Sequence, residues 1–121
     1  MIKIGLVGCG SWGRNYVNEI ERIDGMTLAW VFNKHKEPAT ILPNDTRFTR
    51  NYQRVLDDEA TNAVIIATPP GTHFELVRAA LKSGKDVLVE KPMTLNSRES
   101  SELVGIANKE SRILMVGHLL G

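Results

Sequence analysis

Lys91 stands in the segment Glu90-Lys91-Pro92, which closes the apolar run Asp86-Val87-Leu88-Val89. Such a run reads as a buried strand, and open α/β sheets bind ligands at the carboxyl ends of their strands. An amine at that end could meet the reactive part of a bound substrate, whereas the plainer reading is a solvated surface lysine. What shares the edge decides between them. A second group with chemical potential is Gly8-Cys9-Gly10-Ser11-Trp12-Gly13, a G-x-G-x-x-G element directly behind the strand-like Met1 to Val7. Its first glycine permits the tight strand-to-helix turn, the second lets a pyrophosphate approach the backbone, and the third lets helix and strand pack closely. The N–H groups opening the next helix then face the phosphates. Glycines also serve ordinary turns, so the flanks of the element carry the argument.

Those flanks suit a dinucleotide site. Trp12, Tyr16, Val17, Ile20 and Ile23 recur at helical spacing, Asp24-Gly25 ends the pattern, and a second strand is expected over Thr27 to Phe32. About 20 residues past the glycines, the end of that strand meets the adenosine ribose. Asn33 occupies it. An aspartate there would accept from both ribose hydroxyls, whereas asparagine is uncharged and can donate or accept. Lys34, His35 and Lys36 follow. One of these cations, Lys34 first, could pair with a 2′-phosphate, and the cluster equally suits a solvated loop. NAD or NADP therefore both remain open as the cofactor.

The elements that must position these groups alternate. Pro38 and Pro43 discourage a regular helix between Lys34 and Asn51, Arg47 to Thr49 suits a brief third strand, and Tyr52 to Asp58 a short helix. Ala63 to Thr68 reads as a strand buried on both faces, ended by Pro69-Pro70-Gly71. Thr72 and Glu75 have the spacing of a capping box, before a helix with Phe74, Val77, Ala80 and Leu81 inward and Gly84 at its close. Strand five is expected over Asp86 to Glu90. Asn96 and Glu99 repeat the capping pattern before a face of Leu103, Val104, Ile106 and Ala107, and Ile113 to Val116 suits a last strand. Right-handed crossovers then make an α/β, doubly wound parallel sheet in three layers, ordered 3-2-1-4-5-6, as one domain over residues 1–121. That order brings the glycine turn, Asn33, Thr68 to Gly71, Lys91 and Gly117-His118 to one edge.

Composition narrows the function classes. With 121 residues the chain has the size of one domain, against a typical range of about 50 to 250. A net charge of +1 gives no case for nucleic acid or a membrane surface as partner, and the apolar runs are too short to cross a bilayer. No signal peptide is visible and the expected compartment is the cytoplasm. Cys9 is the single cysteine, which excludes an internal disulfide, and its place in the glycine turn suits packing rather than nucleophilic chemistry. No metal site is indicated.

Three segments carry a family resemblance: Val7-Gly8-Cys9-Gly10-Ser11-Trp12-Gly13, Ala67-Thr68-Pro69-Pro70-Gly71-Thr72-His73, and Ala79 through Asp86-Val87-Leu88-Val89-Glu90-Lys91-Pro92. Over nearly its whole length the chain resembles the N-terminal Rossmann domain of the glucose-fructose oxidoreductase, inositol dehydrogenase and MocA family. The ending Leu114 to Leu120 is similar to members that oxidise carbon 3 of nucleotide-linked amino sugars. The resemblance implies an NAD(P)-dependent oxidoreductase moving a hydride to or from a hydroxyl carbon of a sugar, polyol or nucleotide-sugar. It assigns the pyrophosphate to Gly8, Gly10, Ser11, Trp12 and Gly13. Thr68, Pro69, Pro70 and Gly71 run beside the cofactor, and Lys91 is the catalytic candidate near the nicotinamide. There Lys91 hydrogen-bonds the substrate oxygen, or acts as a base if burial depresses its pKa. Glu90 belongs to the same cofactor-side segment, although strand alternation turns it away from Lys91. His73 suits ligand contact as well as capping or packing.

Two departures limit what the resemblance implies. Asn33 with the short segment behind it leaves the adenosine end open, and family members continue into a substrate and oligomerisation domain that is expected to be absent from these residues. The chain alone is expected to bind a dinucleotide and to lack full activity. The alternatives are a noncatalytic dinucleotide-binding module and a purely structural one. Without a covering domain, the apolar segment Ile113 to Leu120 is expected to favour a homo-oligomer.

Overall fold

Buried apolar residues alternate along the strands, and this alternation divides the core in two. A computed structural model describes residues 1–8, 13–35, 37–38 and 41–117. The strands are β1 (Ile2–Val7), β2 (Met26–Phe32), β3 (Arg47–Thr49), β4 (Ala63–Ile66), β5 (Asp86–Glu90) and β6 (Leu114–Gly117). Between them lie α1 (Gly13–Arg22), α2 (Tyr52–Asp57), α3 (His73–Lys82) and α4 (Ser97–Glu110). All pairings are parallel, in the order β3-β2-β1-β4-β5-β6. This is the doubly wound sheet expected from the alternating elements.

Ile4 and Leu6 of β1 pack with Tyr16, Val17 and Ile20 of α1, whereas Val7 faces Val55 of α2, Val77 of α3 and Leu103 of α4. The sheet is thus the middle of three layers. Each fully buried aliphatic side chain, such as Leu6 or Leu81, contributes about 1.5–3 kcal/mol relative to exposure. Gly5 has a packing reason to be glycine, because a Cβ there would lie 2.7 Å from Val55 Cγ1. The ladder between β1 and β2 shifts register between Ile4 and Gly5, leaving Ala29 as an extra residue of β2. Leu28 and Val31 therefore share the α1 side although three positions apart.

Several local expectations change. β4 ends at Ile66, before Thr68, and β6 is displaced by one residue to Leu114–Gly117. Ile23 lies past the end of α1 and Val104 on the outer side of α4; both are exposed. Asn96 caps α4 by accepting from the Glu99 N–H at 2.8 Å, as its spacing predicts. Thr72 makes no such cap. A 3-10 turn over Pro70–Thr72 precedes α3, so Thr72 already has helical backbone angles and its hydroxyl bonds backwards.

Candidate functional site

The winding of the sheet reverses between β1 and β4, and in open α/β sheets the ligand crevice lies at such a point, outside the carboxyl ends of the strands. Gly8 leaves β1 with φ +96°, a left-handed conformation that favours glycine. A Cβ on it would stand 2.8 Å from Thr68 Cγ2 and 3.2 Å from the Thr68 nitrogen, so the close approach of the β4 exit also demands glycine. The Gly8 N–H donates to Phe32 O at 2.9 Å and that of Ala67 to Val7 O at 2.9 Å. Three strand ends are thereby joined. The bare backbone at Gly8 fits the close approach of a pyrophosphate. Gly10, Ser11 and Trp12 lie outside the described residues, as do Cys9, Lys36 and His118. Gly13 is the first residue of α1.

Asn33 sits at the β2 exit, where its N–H donates to Thr49 O at 3.3 Å; Lys34 and His35 beside it are exposed. On the other side of the crevice the chain turns through Pro69 and Pro70. Thr72 Oγ1 donates to Pro69 O at 2.6 Å and lies 2.6 Å from Thr68 Oγ1. Thr72 was missed as a loop-shaping residue because its spacing to Glu75 suggested a cap. The four-residue interval between Thr68 and Thr72, around a proline turn, was the available signal.

Lys91 follows β5 and is exposed, with its backbone N–H donating to Gly117 O of β6 at 3.3 Å. Its peptide bond to Pro92 is cis. Glu90 is half-buried. His73, in contrast, is buried at 1% exposure. Its Nε2 is 2.7 Å from Thr68 O, and its Nδ1 is 2.9 Å from Pro92 O and 3.2 Å from Met93 O. Both ring nitrogens face protein carbonyls, so of the roles expected for His73 the geometry favours packing over ligand contact. Gly8, Asn33, Thr68 and Lys91 thus share the carboxyl edge, while His73 lies behind it. Among the described residues, no His, Cys, Asp and Glu group has the arrangement of a metal site, and no helix is long and apolar enough to cross a membrane.

The opposite edge holds a polar cluster that spacing did not reveal. Asp58 accepts from Trp30 Nε1 at 2.8 Å, Thr61 Oγ1 at 3.0 Å and the Ala60 N–H at 3.0 Å. Arg47 lies 3.4 Å from the same carboxylate and stacks 4.0 Å above the Trp30 ring. The Trp30 hydrogen bond, foremost, holds the Asp58 carboxyl below its ordinary pKa. Buried Lys85 donates from Nζ to Asp58 O at 2.7 Å, and desolvation lowers its pKa.

Comparison with known proteins agrees with this geometry. Residues 2–118 match the model of an oxidoreductase family with an NAD-binding Rossmann fold, that of glucose-fructose oxidoreductase, inositol dehydrogenase and MocA. UDP-N-acetylglucosamine 3-dehydrogenase of Acidithiobacillus ferrooxidans is 31% identical over 98% of this chain and 37% of its own length. The NADP(+)-dependent scyllo-inositol 2-dehydrogenase of Bacillus subtilis is 28% identical over 97% of this chain and 33% of its own. Among solved structures, an NAD-binding protein from Listeria innocua superposes with a TM-score of 0.82 at 30% identity, over 95% of this chain and 34% of that one. The chain spans about a third of the length of these relatives.

Proposed function

The chain belongs to this oxidoreductase family with its NAD-binding Rossmann fold, and from that premise we propose that it is the cofactor half of an enzyme moving a hydride to or from a hydroxyl carbon of a sugar, polyol or nucleotide-sugar. One observation carries the proposal: Gly8, Thr68 and Lys91 leave β1, β4 and β5 on the same edge of one parallel sheet. Relatives named for a nucleotide-sugar and an inositol support the substrate class.

The nicotinamide cofactor supplies the hydride chemistry. The glycine segment from Gly8 to Gly13 would hold the pyrophosphate, and Asn33 with Lys34 would meet the adenosine ribose. Thr68, Pro69 and Pro70 form the wall at the β4 exit, and Glu90 belongs to the β5 side of the crevice. Lys91 would hydrogen-bond the oxygen of the reacting carbon and, as a neutral amine, take up the hydroxyl proton when that carbon is oxidised, returning it from the ammonium in the reverse direction. The distribution of length supports a division of labour, since about two thirds of each relative lies beyond the matched part. The 121 residues by themselves bind the dinucleotide and turn over sugars negligibly. They also self-associate through the edge strand β6, where Met115 and Val116 are exposed, with Ile113 exposed just before it.

Calorimetric titration with NAD+, NADH, NADP+ and NADPH tests the reading. Heat with at least one of the four is expected, and its absence with all four overturns the cofactor assignment. Steady turnover of a sugar nucleotide by the 121-residue chain overturns the division of labour.

A further inference from the structure

We infer that His73 is a positioning residue that sets the loop carrying Lys91 against the loop carrying Thr68. The backbone ladder does not perform that task. β4 and β5 pair from Ala63↔Asp86 to Ile66↔Val89 and no further. Beyond that last pair, the Lys91 N–H turns to Gly117 O of β6, away from β4. The two loops therefore diverge from the sheet with different neighbours.

The imidazole bridges the gap at that point. From the first turn of α3 it presents Nε2 to Thr68 O at 2.7 Å and Nδ1 to Pro92 O at 2.9 Å and Met93 O at 3.2 Å. One ring edge meets the β4 exit and the other meets the two residues after Lys91. All three facing atoms are carbonyl oxygens, so each bond requires the ring to donate: one ring proton ties one loop, and two tie both. At 1% exposure the ring also fills the space between them. On each side the loop is braced locally, by Thr72 on Pro69 O and by Thr94 Oγ1 on Asn96 O, both at 2.6 Å. His73 thus joins two locally rigid turns, and the distance between them is the width of the site at Lys91.

The consequence for catalysis rests on the proposed role of Lys91, whereas the bridge itself does not. Amide hydrogen exchange on the whole chain, wild type against His73→Phe, tests the bridge. The amides of Thr72 and Lys91, which donate to Pro69 O and Gly117 O, are expected to exchange about tenfold faster, as for the loss of roughly one hydrogen bond from each loop, while Val77 to Leu81 and Val64 to Ile66 keep their protection. Unchanged exchange in both loops overturns the inference, and so does a uniform loss across the domain, which marks a core residue only. Nitrogen NMR of the wild-type imidazole provides a measurement that needs no variant. Shielded N–H signals at both ring nitrogens support the bridge, and a nitrogen without a proton, or one whose proton exchanges like free imidazole, overturns it. Titration with NADH and NADPH separates this inference from the functional one: no binding by wild type defeats the cofactor reading while the exchange data still decide the bridge. Binding by wild type with undiminished affinity in His73→Phe defeats the positioning role.

Discussion

The two edges of the sheet use polar groups in opposite ways. At the amino edge, Asp58 takes hydrogen bonds from Trp30, Thr61 and Ala60, and buried Lys85 is tied to the Asp58 carbonyl. At the carboxyl edge Lys91 is exposed, Gly8 presents backbone without a side chain, and the Thr68–Thr72 hydroxyl pair lies in an exposed turn. The first arrangement spends its hydrogen-bonding capacity on joining β2, the loop before β4 and the start of β5. The second keeps donors and bare backbone at the surface, where a ligand can use them. Substitutions should therefore cost stability at one edge and binding at the other, and Gly8 and His73 should behave as exceptions because they serve both.

Gly8→Ala breaks the comparison most strongly. Overpacking against Thr68 should cost about 1–3 kcal/mol of stability, with further strain from the positive φ, and cofactor heat should disappear. Urea unfolding and calorimetry measure the two losses, and retention of both would deny that Gly8 joins fold to site. Asp58→Ala should rank next, at roughly 1–3 kcal/mol for unsatisfied buried donors, with cofactor affinity of the folded protein unchanged.

The acid limb of stability sharpens the same contrast. Because the folded Asp58 carboxyl titrates below its unfolded value, its contribution is complete above the unfolded pKa and is lost as pH falls through the lower folded one. Urea midpoints measured from pH 6 to pH 2 should fall less steeply in Asp58→Asn than in wild type. Equal slopes would place the acid sensitivity elsewhere.

Lys91→Met should leave stability within about 0.5 kcal/mol, as for an exposed side chain, and lower hydride transfer in a full-length enzyme carrying this domain at least tenfold. Full activity in that variant would remove Lys91 from the chemistry. The smallest expected effect is at β6, where Met115→Lys should weaken self-association without altering cofactor affinity. Analytical ultracentrifugation reads it, and a wild-type monomer mass independent of concentration would eliminate the association itself.

Much of this was legible in local patterns. The run Ala63 to Ile66 is apolar because both sheet faces are covered, and Asn96 lies three residues before Glu99 because the cap bond has that length. The β3-β2-β1-β4-β5-β6 order followed from alternating elements and crossover handedness. Thr72 misled because its spacing to Glu75 is the same whether its backbone is extended or, as here, already helical. Val104 misled because one helical face is wider than the strip that α4 buries.

By itself, then, the sequence determined the strand and helix order, the glycine that leaves β1, and the edge to which Lys91 belongs, since these depend on periodicity, handedness and backbone sterics between near neighbours. Only the tertiary structure decided that Thr68 presses on Gly8, that Trp30 and Lys85 converge on Asp58, and that His73 spans two loops. Those contacts join residues far apart in the chain or end on main-chain carbonyls. Every residue has such a carbonyl, so its role as a partner leaves no mark in the sequence.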